Sequence, residues 1–271
     1  MSQLTTRRPC VAGQFYPGRP ESLDTEVRGF LAPPGKPEKA IAIIVPHAGY
    51  VYSGAVAGAV YAATVIPDDI ILIGPNHTGL GAPASLMGEG RWETPLGSVP
   101  VNTALARLLI EHGAGFTDDV DAHLSEHSLE VQLPFIQRMN GNASIVPITI
   151  MRADEKKCAA MGAAVARAIR RWGKDVLIVV SSDMNHYEGD KETRAKDRLA
   201  IDAVLALDPG RLLDVTAERD ISMCGVVPAA IAINAALSLG AKEARLVRYA
   251  TSGETSGDYD HVVGYAGIAI R

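Results

Sequence analysis

The sequence predicts a single three-layer α/β/α domain over residues 1–271, and two observations carry that reading. Six β-branched runs alternate with alanine-rich stretches of helical period, and the runs are apolar at nearly every position, as in strands buried on both faces. The strands are AIAIIV at 40–45, DIILIG at 69–74, SIVPITI at 144–150, DVLIVV at 175–180, ARLVRY at 244–249 and VVGYAGIAI at 262–270. Between them the apolar spacing predicts helices over 54–64, 103–112, 126–139, 154–172, 190–206 and 225–239. The first of these, GAVAGAVYAA, is rich in small residues and suits close packing on a sheet. Residues 1–39 form an N-terminal arm that packs on the core and ends in the linker-like APPGKPEK at 32–39.

Bulk composition narrows the function. At 271 residues and 47% hydrophobic the chain can bury a sizeable core. A formal charge of -5 and the lack of a lysine or arginine stripe argue against nucleic acid and favour small-molecule or protein partners. No apolar run reaches the roughly 18 residues a bilayer needs, and MSQLTTRRPC lacks an apolar signal core, so a cytoplasmic protein is expected, off the membrane. Three cysteines, Cys10, Cys158 and Cys224, are too few and too scattered for a disulfide framework.

In open α/β sheets ligands bind beyond the carboxyl ends of the strands. His47 in IIVPHAGYVYSG, His77 in IILIGPNHTG, and Asp183 and His186 in VLIVVSSDMNHYEG all follow strand ends. Neutral imidazoles converging from separate loops can bind a divalent transition metal, with a neighbouring carboxylate to orient a histidine or act as base. A metal site is therefore expected there. His261 reaches the same edge only if the last strand is antiparallel, and His112, before Gly113, reads as a helix C-terminal cap.

The segment DAHLSEHSLEVQLPFIQ at 121–137 offers a competing pattern, because His123, Glu126 and His127 spell H-x-x-E-H, a metalloprotease arrangement. Ser125 is a candidate N-cap, which leaves His123 outside the helix. His123 and His127 are then not expected to share a metal. With that cap His127 and Glu130 fall three apart on one helix face, at the edge of the pocket.

Eight blocks running in order through the chain also carry a family resemblance: RPCVAGQFYP at 8–17, PHAGYVYSG at 46–54, GPNHTG at 74–79, WETPLG at 92–97, EHSLEVQLPF at 126–135, SSDMNHY at 181–187, MCGVVP at 223–228 and VVGYAGIAI at 262–270. Together they resemble the MEMO family, whose prokaryotic members are called AmmeMemoRadiSam system protein B. The resemblance implies a fold like that of the LigB-type class III extradiol dioxygenases. It also implies a metal site of two histidines and a cysteine, matching His47, His77 and Cys224, with Asp183 and His186 beside it. A cysteine stands where the dioxygenases use a carboxylate, which shifts both metal preference and oxygen chemistry. SMCGVV sets Cys224 at the start of an apolar helix, where backbone N–H groups would favour the thiolate.

Three functions follow from this. The first is redox chemistry on a small substrate, with Fe(II) as the favoured ion and copper or zinc as alternatives, His186 as general base and Asp183 orienting it. The second is a non-catalytic iron- or copper-binding or peptide-binding adaptor, and the third a zinc hydrolase. The family name further implies a functional link to AMMECR1-type and radical SAM proteins.

Overall fold

The central strands are apolar because the sheet is covered on both sides. In β2 (Ala42–Val45), β3 (Asp69–Pro75), β8 (Ser144–Ile150) and β9 (Val176–Ser181), alternate residues enter two different cores. Ala42, Ile44, Ile71, Ile73, Val146, Ile148, Ile178 and Val180 face one core. Ile43, Val45, Ile70, Leu72, Ile145, Leu177 and Val179 face the other. That alternation on a sheet buried at both faces makes the protein a three-layer α/β/α fold. The computed structural model describes residues 5–31 and 36–271, so the linker predicted at 32–39 lies partly outside the described residues.

The arm opens with β1 (Thr6–Arg7) and α1 (Pro20–Phe30), which meets α2 (Tyr50–Ala62) through Phe30. Gly54 and Gly58 of α2 lie against Phe30, where a Cβ would run into its ring and its backbone oxygen respectively. These two glycines thus admit a neighbouring helix, while the other face of α2 packs closely on the sheet as expected, Val56 and Val60 lying against Gly267 of the last strand. After β3 come the short strands β4 (Ala84–Leu86), β5 (Arg91–Thr94) and β6 (Gly97–Pro100), then α3 (Thr103–Glu111), capped at His112 as expected, and β7 (Thr117–Asp118). β1, β5 and β6 form a small separate sheet.

The next helix, α4 (Leu133–Met139), is shorter than predicted. Ser125 caps nothing; 126–129 is not helical, and single 3-10 turns occupy Asp121–His123 and Glu130–Gln132. The polar side chains of this stretch are drawn to distant partners, Ser128 Oγ to Pro75 O and Glu130 to the arm. An α-helix begins only at Leu133, with Pro134 in its first turn.

The remaining elements are α5 (Glu155–Trp172), β10 (His186–Glu188), α6 (Asp190–Leu205), α7 (Pro209–Glu218), α8 (Val226–Leu239), β11 (Ala244–Thr251), α9 (Gly253–Ser256) and β12 (Val262–Ile270). The main sheet runs β10-β12-β2-β9-β3-β8-β4-β7, with β11 also on β12. β2, β9, β3 and β8 are parallel, so Val45, Ser181, Pro75 and Ile150 end at one edge. β12 is antiparallel to β2 and its first residues pair with β10. His261 therefore stands at the site edge, but it is exposed and does not line the cleft. Among the described residues no helix is long and apolar enough to cross a membrane.

Candidate metal centre

Beyond the ends of β2, β3 and β9 lies a cleft of about 480 Å³, within the range of small-ligand sites. Phe15, His47, His77, His127, Asp183, His186, Tyr187 and Cys224 are among its lining residues. Donor atoms of His47, His77 and Cys224 lie within 4.8 Å of one another, with His47 Nε2 3.3 Å from Cys224 Sγ. Tetrahedral bonds of about 2.0–2.3 Å put donors roughly 3.5 Å apart, so the His47–Cys224 edge already fits and no edge would have to close by more than about 1 Å.

Hydrogen bonding decides which nitrogen each histidine presents. Ser181 Oγ has Ser128 O at 2.6 Å, Gln132 Nε2 at 2.9 Å and His47 Nδ1 at 3.0 Å. Its one hydrogen goes to the Ser128 carbonyl, so its lone pairs receive Gln132 N–H and His47 Nδ1–H. Gln132 is held in turn by Tyr61 OH and Pro46 O. His47 is left with a free Nε2 lone pair facing Cys224. Burial lowers its pKa to about 4 against the opposing charge of Asp183, so the ring is neutral at pH 7.

His77 is held by Glu126, whose Oε1 lies 2.9 Å from Nδ1 while Oε2 accepts the His77 backbone N–H. Burial would raise the Glu126 pKa, but His77 and the N–H groups of Ser128 and His77 hold it at about 2. Glu126 thus fixes His77 with Nε2 outward, the usual outer partner of a metal-binding imidazole. His77, Glu126 and His127 also sit close enough to be considered as a ligand group, but the Glu126 oxygens are committed to His77 and Ser128. That group supports the first site and does not make a second one.

Cys224 departs from the expectation of a thiolate favoured by backbone N–H groups. Asp183 N–H does reach its sulfur, at 3.3 Å, yet burial and the Asp183 charge outweigh that and push the thiol well up. A cation would be needed to draw off its proton. A neutral His47, a His77 whose pKa burial would lower but Glu126 raises, both with pinned Nδ1 atoms, and a thiol that ionises only beside a cation form a donor set that fits a divalent metal once the protons are displaced.

The other predicted residues are placed differently from one another. His127 lines the cleft, stacked on His77 with centroids 4.8 Å apart. Glu130 does not line it; it is fully buried and bonds to the arm. His123 is also fully buried, edge-on to Trp92, and stands in no ligand group with His127. Asp183 does not orient His186. Its Oδ1 accepts the N–H groups of His47 and Ala48, whereas His186 Nδ1 lies 3.0 Å from Ser222 O. A carbonyl only accepts, so Nδ1 carries the hydrogen and Nε2 is the basic nitrogen.

Sequence reading missed Ser181, Gln132, Asn185 and Ser222, whose polar side chains act on partners far along the chain, and it met Glu126 only within H-x-x-E-H. Tyr187 carries a visible anomaly. Its φ is 62°, and its ring stands 77% exposed at the cleft mouth. Tyr187→Gly is expected to stabilise the fold by about 0.5–1 kcal/mol, since relief of roughly 1–2 kcal/mol of left-handed strain exceeds the added unfolded-state entropy. The urea midpoint measures this, and a fall would mean the ring packs.

Fold and site define a three-layer α/β/α protein with a His2Cys constellation at its parallel strand ends. The family described as Memo-like protein matches residues 7–269. A MEMO1 family protein of Pyrobaculum arsenaticum is 46% identical over 280 residues, covering 99% of this chain and 100% of the relative. One from Methanothermobacter thermautotrophicus is 42% identical over 97% of this chain and 99% of its own, and one from Thermotoga maritima 39% over 96% and 97%. The chain belongs to the Memo-like family.

Proposed function

We propose that the chain is a metal-dependent redox enzyme acting on a small substrate, with His47, His77 and Cys224 holding Fe(II). The observation that carries the reading is the pairing of a fixed donor set with a separate imidazole, His186, whose basic Nε2 is left free by Ser222 at the same cleft. When bound, the ion would supply redox chemistry and polarise a coordinated oxygen donor. His186 takes a proton from the substrate at Nε2 and holds it at that atom. Asp183 fixes the backbone of His47, and Phe15 with His127 walls the cleft. The AMMECR1-type and radical SAM proteins would act on the same pathway.

The test is anaerobic reconstitution with Fe(II), Cu(I) and Zn(II) in turn, followed by oxygen consumption with catechols and reductants. Metal content alone is weak evidence, since copper and zinc outcompete iron at most nitrogen and sulfur sites. His186→Ala is expected to keep its iron and lose about 10²–10⁴-fold in turnover, the contribution of a general base. Tight binding of every metal with turnover from none would replace this reading with that of an iron or copper carrier.

A further inference from the structure

The imidazole of His186 is held through a chain of contacts that begins one residue before it. Asn185 is buried, 1% exposed, and every polar group it has is used. Its N–H goes to Asp197 Oδ1 at 2.8 Å, and its carbonyl accepts Gly264 N–H at 2.9 Å. Its side-chain Oδ1 lies 3.1 Å from Ser222 N and 3.2 Å from Ser222 Oγ, while Nδ2 donates to Glu188 Oε2 at 2.6 Å. The chemistry fixes this orientation, because a backbone N–H only donates and a carboxylate only accepts.

Ser222 passes the constraint on. Its Oγ accepts His186 N–H at 2.8 Å, so its own hydrogen goes to Asn185, and its carbonyl takes the ring Nδ1–H at 3.0 Å. Backbone and ring of His186 are thus both fastened to one residue, which is fastened at N and Oγ to the Asn185 amide. Two residues on stands Cys224, whose sulfur accepts Asp183 N–H. The brace is built around a buried carboxylate. A Cβ on Gly264 would overlap Asp197 Oδ2, so the glycine leaves the space Asp197 fills.

We propose that Asn185 is the positioning residue of His186, setting its tautomer and aim through Ser222. This rests on the reading of His186 as a base acting through Nε2. A merely structural asparagine would hold the two loops together without selecting a tautomer. Asn185→Asp keeps the oxygen that Ser222 needs, gives up the longer contact to Thr193 and faces Glu188 through a carboxyl pair that must share a proton, whereas Asn185→Leu removes both the acceptor and the donor.

The experiment is long-range ¹⁵N–¹H correlation NMR of His186 in the full-length zinc-loaded chain, for the native protein, Asn185→Asp and Asn185→Leu. The expected result is the Nδ1–H form alone in the native chain and in Asn185→Asp. Asn185→Leu is expected to lose that single form and shift toward the Nε2–H form that an unheld imidazole favours. A folded Asn185→Leu with the native tautomer overturns the proposal. The Nε2–H form in the native chain overturns it as well, whether or not the leucine variant folds. Because the tautomer is read without turnover, a chain that shows this pattern and consumes no oxygen sinks the enzyme reading and leaves the positioning role standing.

Discussion

Glu130→Ala is expected to lower the unfolding free energy by about 3–5 kcal/mol, the effect of stranding one partner of a buried ion pair. Arg7 and Glu130 are paired with both side chains at 0% exposure. Glu130 also accepts Cys10 N–H at 2.8 Å, Val11 N–H at 3.1 Å and Tyr16 OH at 2.6 Å. Without it Arg7 keeps, among the described residues, two backbone carbonyls, those of His123 and Glu126, a sulfur contact to Cys10 and the face of Trp92. The loss reaches the cleft, because Phe15 belongs to the same arm and its carbonyl takes Tyr50 N–H at the start of α2. Urea unfolding measures the change, and a loss under about 1 kcal/mol, the scale of an exposed pair, would show that the pair does not anchor the arm.

The same residue gives a pH dependence of definite sign. Burial would raise the Glu130 pKa, but Arg7 and the hydrogen bonds lower it below the ordinary carboxylate value. A depressed folded pKa means the stabilisation is fully present above the unfolded value of about 4.3 and is lost as pH falls through the folded one. Glu130→Ala should therefore show a shallower loss of stability in acid than the native chain.

What could be read from the sequence follows what is local. The strands at 144–150 and 262–270 agree residue for residue with β8 and β12, because burial on two faces leaves an unbroken apolar run. α1 and the β1-β5-β6 sheet were not legible: two-residue pairing across more than eighty positions leaves no periodic trace. The helix predicted from 126 failed because a capping rule reads neighbours, whereas Glu126, Ser128 and Glu130 answer to His77, Pro75 and Arg7. His47 and His77 were found from their positions after strands, and Cys224 only through the family resemblance. The partner of His186 was misassigned to Asp183 because nearness in sequence stood in for a contact with Ser222, 36 residues away.

Cys224→Ala and Glu126→Gln should separate a ligand from its support. Glu126 touches His77 and not the common point of the donors, so Glu126→Gln is expected to weaken zinc binding by the 10–100-fold typical of an outer partner. Cys224→Ala removes one of three donors together with the only negative charge the set can develop, so its loss should exceed that range. Proton counting gives an independent check. His47 is already neutral at pH 7, whereas burial and Asp183 keep the Cys224 thiol protonated until a cation arrives. The native chain should therefore release about one more proton per zinc than Cys224→Ala, and its affinity should rise with pH by about tenfold per unit more than the variant's. Titration calorimetry in two buffers of different ionisation heat reads both quantities. Equal affinity and equal proton release in the native chain and Cys224→Ala would take the sulfur out of the site, leaving two imidazoles whose outward Nε2 atoms serve some other ligand.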